Sequence, residues 1–375
     1  MRIAIEISPQ LEGKRGVGVY TENLIRHLAL IDRDNEYLIF TWFFRDYEAK
    51  LASIYRPPAE NFRVLARRLP DSLVSVVEWD LRFPLIERLL KEHRVDVYHS
   101  PGPRLPNLSR CGAVTTIHDL INEKFPEWVS ERFSGAARRA VERADAVIAD
   151  SESTRSDIRE LYGVPGDKVE VIPLGVDPAV FSPEAAARAP GTAAKYGLPE
   201  KFILEVGPFE PRRNTETLLK AYALAREAIR PYKLVLVGSA GAGLRAQAAS
   251  LGIAGDVIFT GRLATEELAA VYGLSSVFAH LSLYEGFGLS VLEAMACGSV
   301  PLISDVSSLP EIGGDACLKV AAPRDPGECA KALTRLVTDG RLRGELRDRA
   351  IKRAATFTWE NTARKTLECY KRAAR

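Results

Sequence analysis

The stretch SVFAHLSLYEGFGLSVLEAMACGSVPLIS, residues 276–304, decides the fold. It begins as a mostly apolar, strand-like run over 276–281 and enters a loop carrying Gly286 and Gly288. Residues 289–296 then place apolar side chains at helical spacing, and Cys297-Gly298 leads straight into a second apolar run, 300–304. A strand, a loop, a helix and a strand in so short a span make a parallel crossover unit. Runs this apolar belong to strands covered by helices on both faces.

Working outward, the same alternation fills the chain. Strands are expected at 202–206, 233–237, 257–260 and 317–320 in the second half, and at 2–8, 36–42, 62–67, 95–100, 113–118, 146–150 and 169–173 in the first. Helices are expected at 19–31, 78–93, 131–143 and 153–162. Between the halves, residues 178–200 hold Pro178, Pro183, Pro190, Gly191, Gly197 and Pro199, the composition of a linker. The fold class is therefore α/β, with two Rossmann-like doubly wound domains whose strand ends are expected to face a central cleft. The domains are read as 1–177 and 178–357. Residues 358–375 form an apolar-striped helix, with Trp359, Ala363, Leu367 and Tyr370 on one face, that needs a surface to cover.

Composition narrows the function. With 51 Lys and Arg against 49 Asp and Glu among 375 residues, the net charge is +2, so no global field favours nucleic acid. Residues 1–180 carry 25 basic and 28 acidic side chains and residues 181–375 carry 26 and 21, which makes the second half the better place for an anionic ligand. Five scattered cysteines with no C-x-x-C pattern read as buried thiols in a reducing compartment. No leader-like segment and no run of about 18 apolar residues is visible. The expected location is cytoplasmic, at most peripheral at the cytoplasmic face of a membrane.

Two loops invite chemistry. Gly13-Lys14-Arg15-Gly16-Val17-Gly18 follows the first strand and opens a helix. As a dinucleotide fingerprint it fails, since its third Gly is misplaced and the second strand ends without an acid; Gly16 and Gly18 still let an anion or a sugar hydroxyl approach bare backbone. In the 276–304 stretch, Glu285 stands on the loop and Gly286 and Gly288 permit close approach. Glu293 rides an apolar helix, where a carboxylate needs hydrogen-bond donors such as vicinal ribose hydroxyls.

The sequence E-G-F-G-L-S-V-L-E-A-M-A-C-G, with two Glu separated by seven residues, closely resembles the signature of retaining glycosyltransferases of family 4, which have the GT-B fold. The likeness extends through Arg15-Gly16-Val17-Gly18-Val19-Tyr20, Tyr98-His99-Ser100-Pro101-Gly102, Thr116-Ile117-His118-Asp119, Val171–Asp177, Val206–Asn214 and Ser307-Ser308-Leu309-Pro310-Glu311. It implies that the terminal helix crosses back to the first domain, that the first domain binds the acceptor and that the second binds the nucleotide sugar. It implies a donor-sugar contact for Glu285, a ribose contact for Glu293, and diphosphate contacts for the Phe287 to Leu289 amides. Arg213, in the place of a basic residue that is usually Lys, and its neighbour Arg212 would hold the pyrophosphate. Pro208 replaces an Arg common in relatives, so the clamp rests on these two.

His118 matches the family's catalytic-loop His, with an expected role in binding the donor sugar and orienting the acceptor. His99 is expected in a loop facing the cleft, whereas His27, His93 and His280 show no constellation. The loop Gly261-Arg262-Leu263 is expected to help select the base. The sequence is read as lacking an Asp-x-Asp motif, so no metal and no other cofactor is expected, and Arg212, Arg213 and helix amides supply the counter-charge.

The likeness to bacterial mannosyltransferases and rhamnosyltransferases of surface polysaccharide assembly points first to GDP-mannose, and next to a UDP-sugar or dTDP-rhamnose. The acceptor would be a saccharide or a polyprenyl-linked saccharide. Residues 61–94 mix seven basic and five acidic side chains with apolar ones, a composition that suits either a membrane surface or a core-packed helix and loop. An epimerase or phosphorylase of the same architecture, or a noncatalytic nucleotide-sugar-binding protein, would share the design; Glu285, Glu293, His118 and Arg213 together argue against the noncatalytic protein, and product analysis with and without an acceptor separates the other.

Overall fold

Short aliphatic and β-branched runs pair side by side, the central ones buried on both faces, and in this protein every pairing of named strands is parallel. The computed structural model describes residues 1–8, 16–128, 135–239 and 241–374. The first sheet comprises β1 (Arg2–Glu6), β2 (Glu36–Trp42), β3 (Phe62–Arg67), β4 (Val97–Ser100), β5 (Gly112–Ile117), β6 (Ala146–Ala149) and β7 (Val169–Val171), in the order 3-2-1-4-5-6-7. The second comprises β8 (Phe202–Val206), β9 (Lys233–Val237), β10 (Val257–Gly261), β11 (Val277–His280), β12 (Val300–Ser304) and β13 (Leu318–Val320), in the order 10-9-8-11-12-13. Each order reverses direction once, between β1 and β4 and between β8 and β11. Ligands of such sheets bind where the order reverses, at the carboxyl ends of the strands.

The chain forms two units, one of Met1–Gly175 with Trp359–Arg375 and one of Val176–Thr358. In the first, Ala4, Phe40, Tyr98, Ala113 and Val147 from the sheet meet Ile86, Leu90, Ala140 and Ile158 from helices in one apolar cluster. Helix Trp359–Ala373 belongs to this unit. It buries Trp359, Ala363 and Tyr370, and the Tyr370 hydroxyl lies 2.7 Å from His99 Nδ1. A Cβ at Gly112 would collide with the Ala373 carbonyl, so glycine is what lets this helix approach β5. In the second unit, Ile203, Leu234, Leu236, Val277 and Leu302 pack on Leu218, Leu219, Tyr222, Leu333 and Leu336.

Three expectations change. Residues 178–200 are not a free linker: they carry helices Ala185–Arg188 and Thr192–Tyr196, and Lys195 and Tyr196 bind Glu267 at 2.6 and 2.8 Å. Proline and glycine here shape turns between short helices, with Ala185 and Thr192 buried. The helix expected over 78–93 is broken. A π-helical turn over Ser75–Asp80 precedes the helix Leu85–Leu90, and Arg82 takes φ 54° just before Pro84, which cannot donate a helical hydrogen bond. This segment buries Val74, Ile86 and Leu90 while exposing Leu73, Val76, Leu81 and Phe83. Of the helix expected at 131–143, Ala136–Arg143 is present and 131–134 lie outside the described residues.

Candidate active site

In the second unit the reversal point gathers two loops. The loop after β8 closes with the 3-10 turn Pro211–Arg213, and Asn214, in the left-handed region at φ 59°, starts helix Thr215–Ala225. Asn214 Nδ2 donates to the carbonyls of Leu281 and Pro323, while Leu283 N–H donates to the Arg212 carbonyl at 2.7 Å. The loops after β8 and β11 are thereby tied, and their side chains converge.

At the convergence, Glu285 is buried and held by cations on both oxygens. Arg212 Nη1 donates to Oε2 at 2.8 Å, and Arg213 Nη1 lies 2.8 Å from Oε1. His280, 1% exposed at the end of β11, sits with Nε2 2.9 Å from Arg213 Nη1 and 3.2 Å from Glu285 Oε1. Burial alone would raise the Glu285 pKa, but Arg213 and Arg212 hold the carboxyl well below its usual range. Burial and the Arg213 charge lower the His280 pKa, so its ring is neutral near pH 7. The Glu285 N–H donates to Ser307 Oγ, and Ser308 Oγ donates to the carbonyls of Glu285 and Phe287.

From there the chain enters helix Leu289–Ala296 through Gly288, whose φ of 98° favours glycine. The amides of Leu289 and Ser290 precede its first hydrogen bonds, which run from Val291 and Leu292 to the Gly288 carbonyl, and stand at the positive end of the helix dipole. Gly286 and Phe287 are buried in the same loop. Glu293, four residues into the helix, accepts a hydrogen bond from the Tyr272 hydroxyl at 3.2 Å, and burial pushes its carboxyl up to about 7. Beneath Arg213, Glu205 of β8 is 2% exposed, accepts from Thr215 Oγ1, and has its other oxygen unpartnered; burial pushes it up to about 8.

Gly261 ends β10 at the same edge of the sheet, with φ 75°, and accepts the Gly238 N–H. Gly238 in turn presses on the Gly207 carbonyl, where a Cβ would collide. Leu263 follows, half-buried.

The first unit has its own reversal point. Gly16, at φ 39°, starts helix Val17–Ile31, whose first turn buries Gly18; Gly13, Lys14 and Arg15 lie outside the described residues. His118 follows β5, with Nδ1 2.6 Å from Asp150 Oδ2 and Nε2 3.1 Å from the Pro101 carbonyl. A cavity of about 560 Å³ opens at the carboxyl ends of β1, β2 and β4, with Trp42, Trp79, Asp71, Arg104, Arg139 and Arg143 in its walls. Arg104 lies 4.4 Å from the Trp79 ring centre and pairs with Asp71 at 3.2 Å.

Two family models match the chain in tandem: "Glycosyltransferase Family 4" over residues 14–180 and "Glycosyl transferases group 1" over 193–357. The chain is 29% identical over 383 residues to the O-antigen chain mannosyltransferase B of Escherichia coli, covering 99% of this chain and all of that protein. This chain belongs to the family 4 glycosyltransferases. The transferase is also 36% identical over 241 residues to the serotype-specific mannosyltransferase WbdA of Escherichia coli, which covers 62% of this chain and 29% of that longer protein. The structure of sucrose-phosphate synthase from Thermosynechococcus elongatus superposes with a TM-score of 0.76 at 22% identity over 99% of this chain and 98% of that one. The fold is GT-B.

Of the site residues expected in the second unit of the transferase, Arg212, Arg213, Glu285, Gly286, Phe287, Gly288 and Leu289 come together in one cluster. Glu293 lies further along the same helix, and Gly261 and Leu263 stand at the far strand. Gly16, Gly18 and His118 belong to the first unit. Two histidine readings are corrected. His280, read as isolated, is central to the Arg213–Glu285 cluster; its signal was its position at a strand end five residues before Glu285. His99, read as facing a cleft, is fully buried, with Nε2 2.9 Å from Thr116 Oγ1, and burial lowers its pKa to about 3. Asp150, read only as part of a helix-capping run, is the partner of His118.

The sequence does hold one Asp-x-Asp, Asp32-Arg33-Asp34. Asp32 accepts hydrogen bonds from the Asn35 and Tyr37 side chains and from the Asp34 and Asn35 amides, so it builds the turn into β2. Among the described residues no group of three or more His, Cys, Asp and Glu could hold a metal ion.

Proposed function

We propose that the transferase moves a hexose, first mannose from GDP-mannose, from a nucleotide-diphospho-sugar to a saccharide or polyprenyl-linked saccharide acceptor in cell-surface polysaccharide synthesis. The observation that carries this reading is the Arg212–Arg213–Glu285 cluster at the β8/β11 reversal, one turn before the open amides of helix Leu289–Ala296. Paired guanidiniums and helix amides match a diphosphate whose charge grows as the glycosidic bond breaks, and such fixed donors stabilise the transition state more than the ground state. The same donors make the transfer metal-independent in this reading. Glu285 meets the donor sugar, and Glu293 accepts the ribose hydroxyls; Gly261 and Leu263 border the base.

Retention of configuration follows from same-face attack by the acceptor hydroxyl. The new bond forms as the anomeric carbon–oxygen bond to the diphosphate breaks, and the leaving phosphate oxygen takes the acceptor's proton. In the first unit, the tryptophan, acid and arginine lining suits a saccharide acceptor, and the cavity has the size of a small-molecule site. His118 orients the acceptor beside it.

The mannosyl choice rests on the names of the two Escherichia coli relatives. Thermal shift with GDP, UDP and dTDP tests the base, since the preferred diphosphate stabilises the fold by mass action. With that donor, the product's anomeric configuration is read by proton NMR. Inversion, a covalent glycosyl-Glu285 adduct, or activity lost to a chelator and restored by manganese would each overturn the part it addresses. Exposed Leu73, Val76, Leu81 and Phe83 with Arg82 nearby favour peripheral contact with the inner membrane, which liposome flotation checks.

A further inference from the structure

His118 sits at the carboxyl end of β5 with both ring nitrogens facing acceptors. Nδ1 lies 2.6 Å from a carboxylate oxygen of Asp150 and Nε2 lies 3.1 Å from the backbone carbonyl of Pro101. A neutral imidazole has one N–H and one lone pair. If the proton were on Nδ1 alone, the Nε2 lone pair would point at the lone pairs of the Pro101 carbonyl. Were it on Nε2 alone, the Nδ1 lone pair would meet the carboxylate. Only a ring with hydrogen on Nε2 and a second proton between Nδ1 and Asp150 satisfies both contacts. Ordinary basicity puts that second proton on the ring, by about 2.5 pH units over an aspartate.

The surroundings agree. Asp150 is 1% exposed, and its Oδ1 has no hydrogen-bond partner among the described residues, so the imidazolium is the cation that answers its charge. Asp119, next in the chain, adds a second negative charge beside the ring. Two further titratable neighbours among the described residues are neutral. His99 in β4 is buried between Tyr370 and Thr116, and Tyr20 from helix Val17–Ile31 stands edge-on to His118 with centroids 4.9 Å apart. Burial works to lower the His118 pKa, but the charge of Asp150 and its hydrogen bond outweigh it; burial raises Asp150 too, so the pair as a unit keeps its protons.

We propose that Asp150 is a positioning residue that holds His118 doubly protonated, so that His118 presents a fixed positive charge beside the acceptor cavity and cannot act as a base. Its N–H groups are committed to Asp150 and to the turn at Pro101, whose neighbour Gly102 borders the cavity. What reaches a ligand is therefore charge and the ring edge. The protonation state rests on the geometry above; its bearing on transfer rests on the acceptor-orienting role proposed for His118.

Long-range proton–nitrogen NMR of the full-length, nitrogen-labelled protein reads the state directly, with the His118 signals assigned by their loss in His118→Gln. The expected result is two imidazolium-like ring nitrogens at pH 7.5, and a titration midpoint that falls by about one unit or more in Asp150→Asn, with Asp150→Glu restoring it. A single protonated nitrogen in the unmodified protein at pH 7, or a midpoint unmoved in Asp150→Asn, overturns the proposal. Should Asp150→Asn fail to fold, the unmodified protein's spectrum alone decides. Activity is the separate readout: in Asp150→Asn the alkaline limb of kcat/KM moves to lower pH if His118 acts as a cation in transfer. An unmoved limb with the NMR result intact removes the catalytic role and leaves the charge state standing.

Discussion

His118 follows β5 in the first sheet and His280 ends β11 in the second, each close to a carboxylate, and their pKa values shift in opposite directions. At His118 the charge and hydrogen bond of Asp150, with Asp119 adding to them, outweigh burial, and its pKa rises. At His280 the carboxylate of Glu285 is already matched by Arg213 and Arg212, so burial and the nearer guanidinium win and the pKa falls. A hydrogen bond to a carboxylate therefore does not set a histidine's charge. The balance of burial and the charges within a few ångströms does.

The sharpest way to break this comparison is to remove the cation that decides it. Arg213→Ala is expected to cost about 10²- to 10³-fold in kcat, the scale of losing one fixed donor to developing charge, and steady-state transfer kinetics measure it. More selective is Glu205→Gln. The Glu205 carboxyl, about 8 in the folded protein, ionises near 4.3 when unfolded, so stability falls as pH rises from about 4.3 to 8. The variant keeps the Thr215 hydrogen bond and lacks that slope. Urea unfolding should show it more stable by up to about 5 kcal/mol at pH 8.5 and nearly equal at pH 4.5.

The first unit leans the other way. His99, lowered to about 3, stays neutral when folded, so its contribution is present above the unfolded value of about 6.5 and is lost as pH falls below it. Tyr370→Phe strips its Nδ1 of a partner and should cost about 1–2 kcal/mol at pH 7 in the same assay. The smallest effect is expected from Ser307→Ala, which removes the acceptor of the Glu285 N–H: about 1 kcal/mol, with little change in the pH profile.

The strands were legible in the sequence because each is a short apolar run bounded by turn residues, and their alternation with helices fixes a parallel sheet. Where reading failed, a three-dimensional cause is evident. The break at Leu81–Pro84 depends on Val74 and Ile86 both reaching the core. The ordered 178–200 segment depends on Glu267, about seventy residues away in the sequence. Motif reading placed Arg212, Arg213 and Glu285 in one site, but their mutual ion pairs, and His280 among them, arise from loops joined by Asn214 and Leu283 across the sheet. Asp150 was hidden because a capping run explains an aspartate before a helix equally well.

Helix Trp359–Ala373 gives the chain an order of birth. The first unit is discontinuous: its sheet emerges early, yet the helix that covers β5 and supplies the Tyr370 partner of His99 follows the whole second unit in the chain. The second unit is continuous, so all of it is translated between the two pieces of the first. During synthesis the early sheet therefore waits with an apolar face and a buried-to-be histidine open to water, so folding of the first unit is timed by translation of the second.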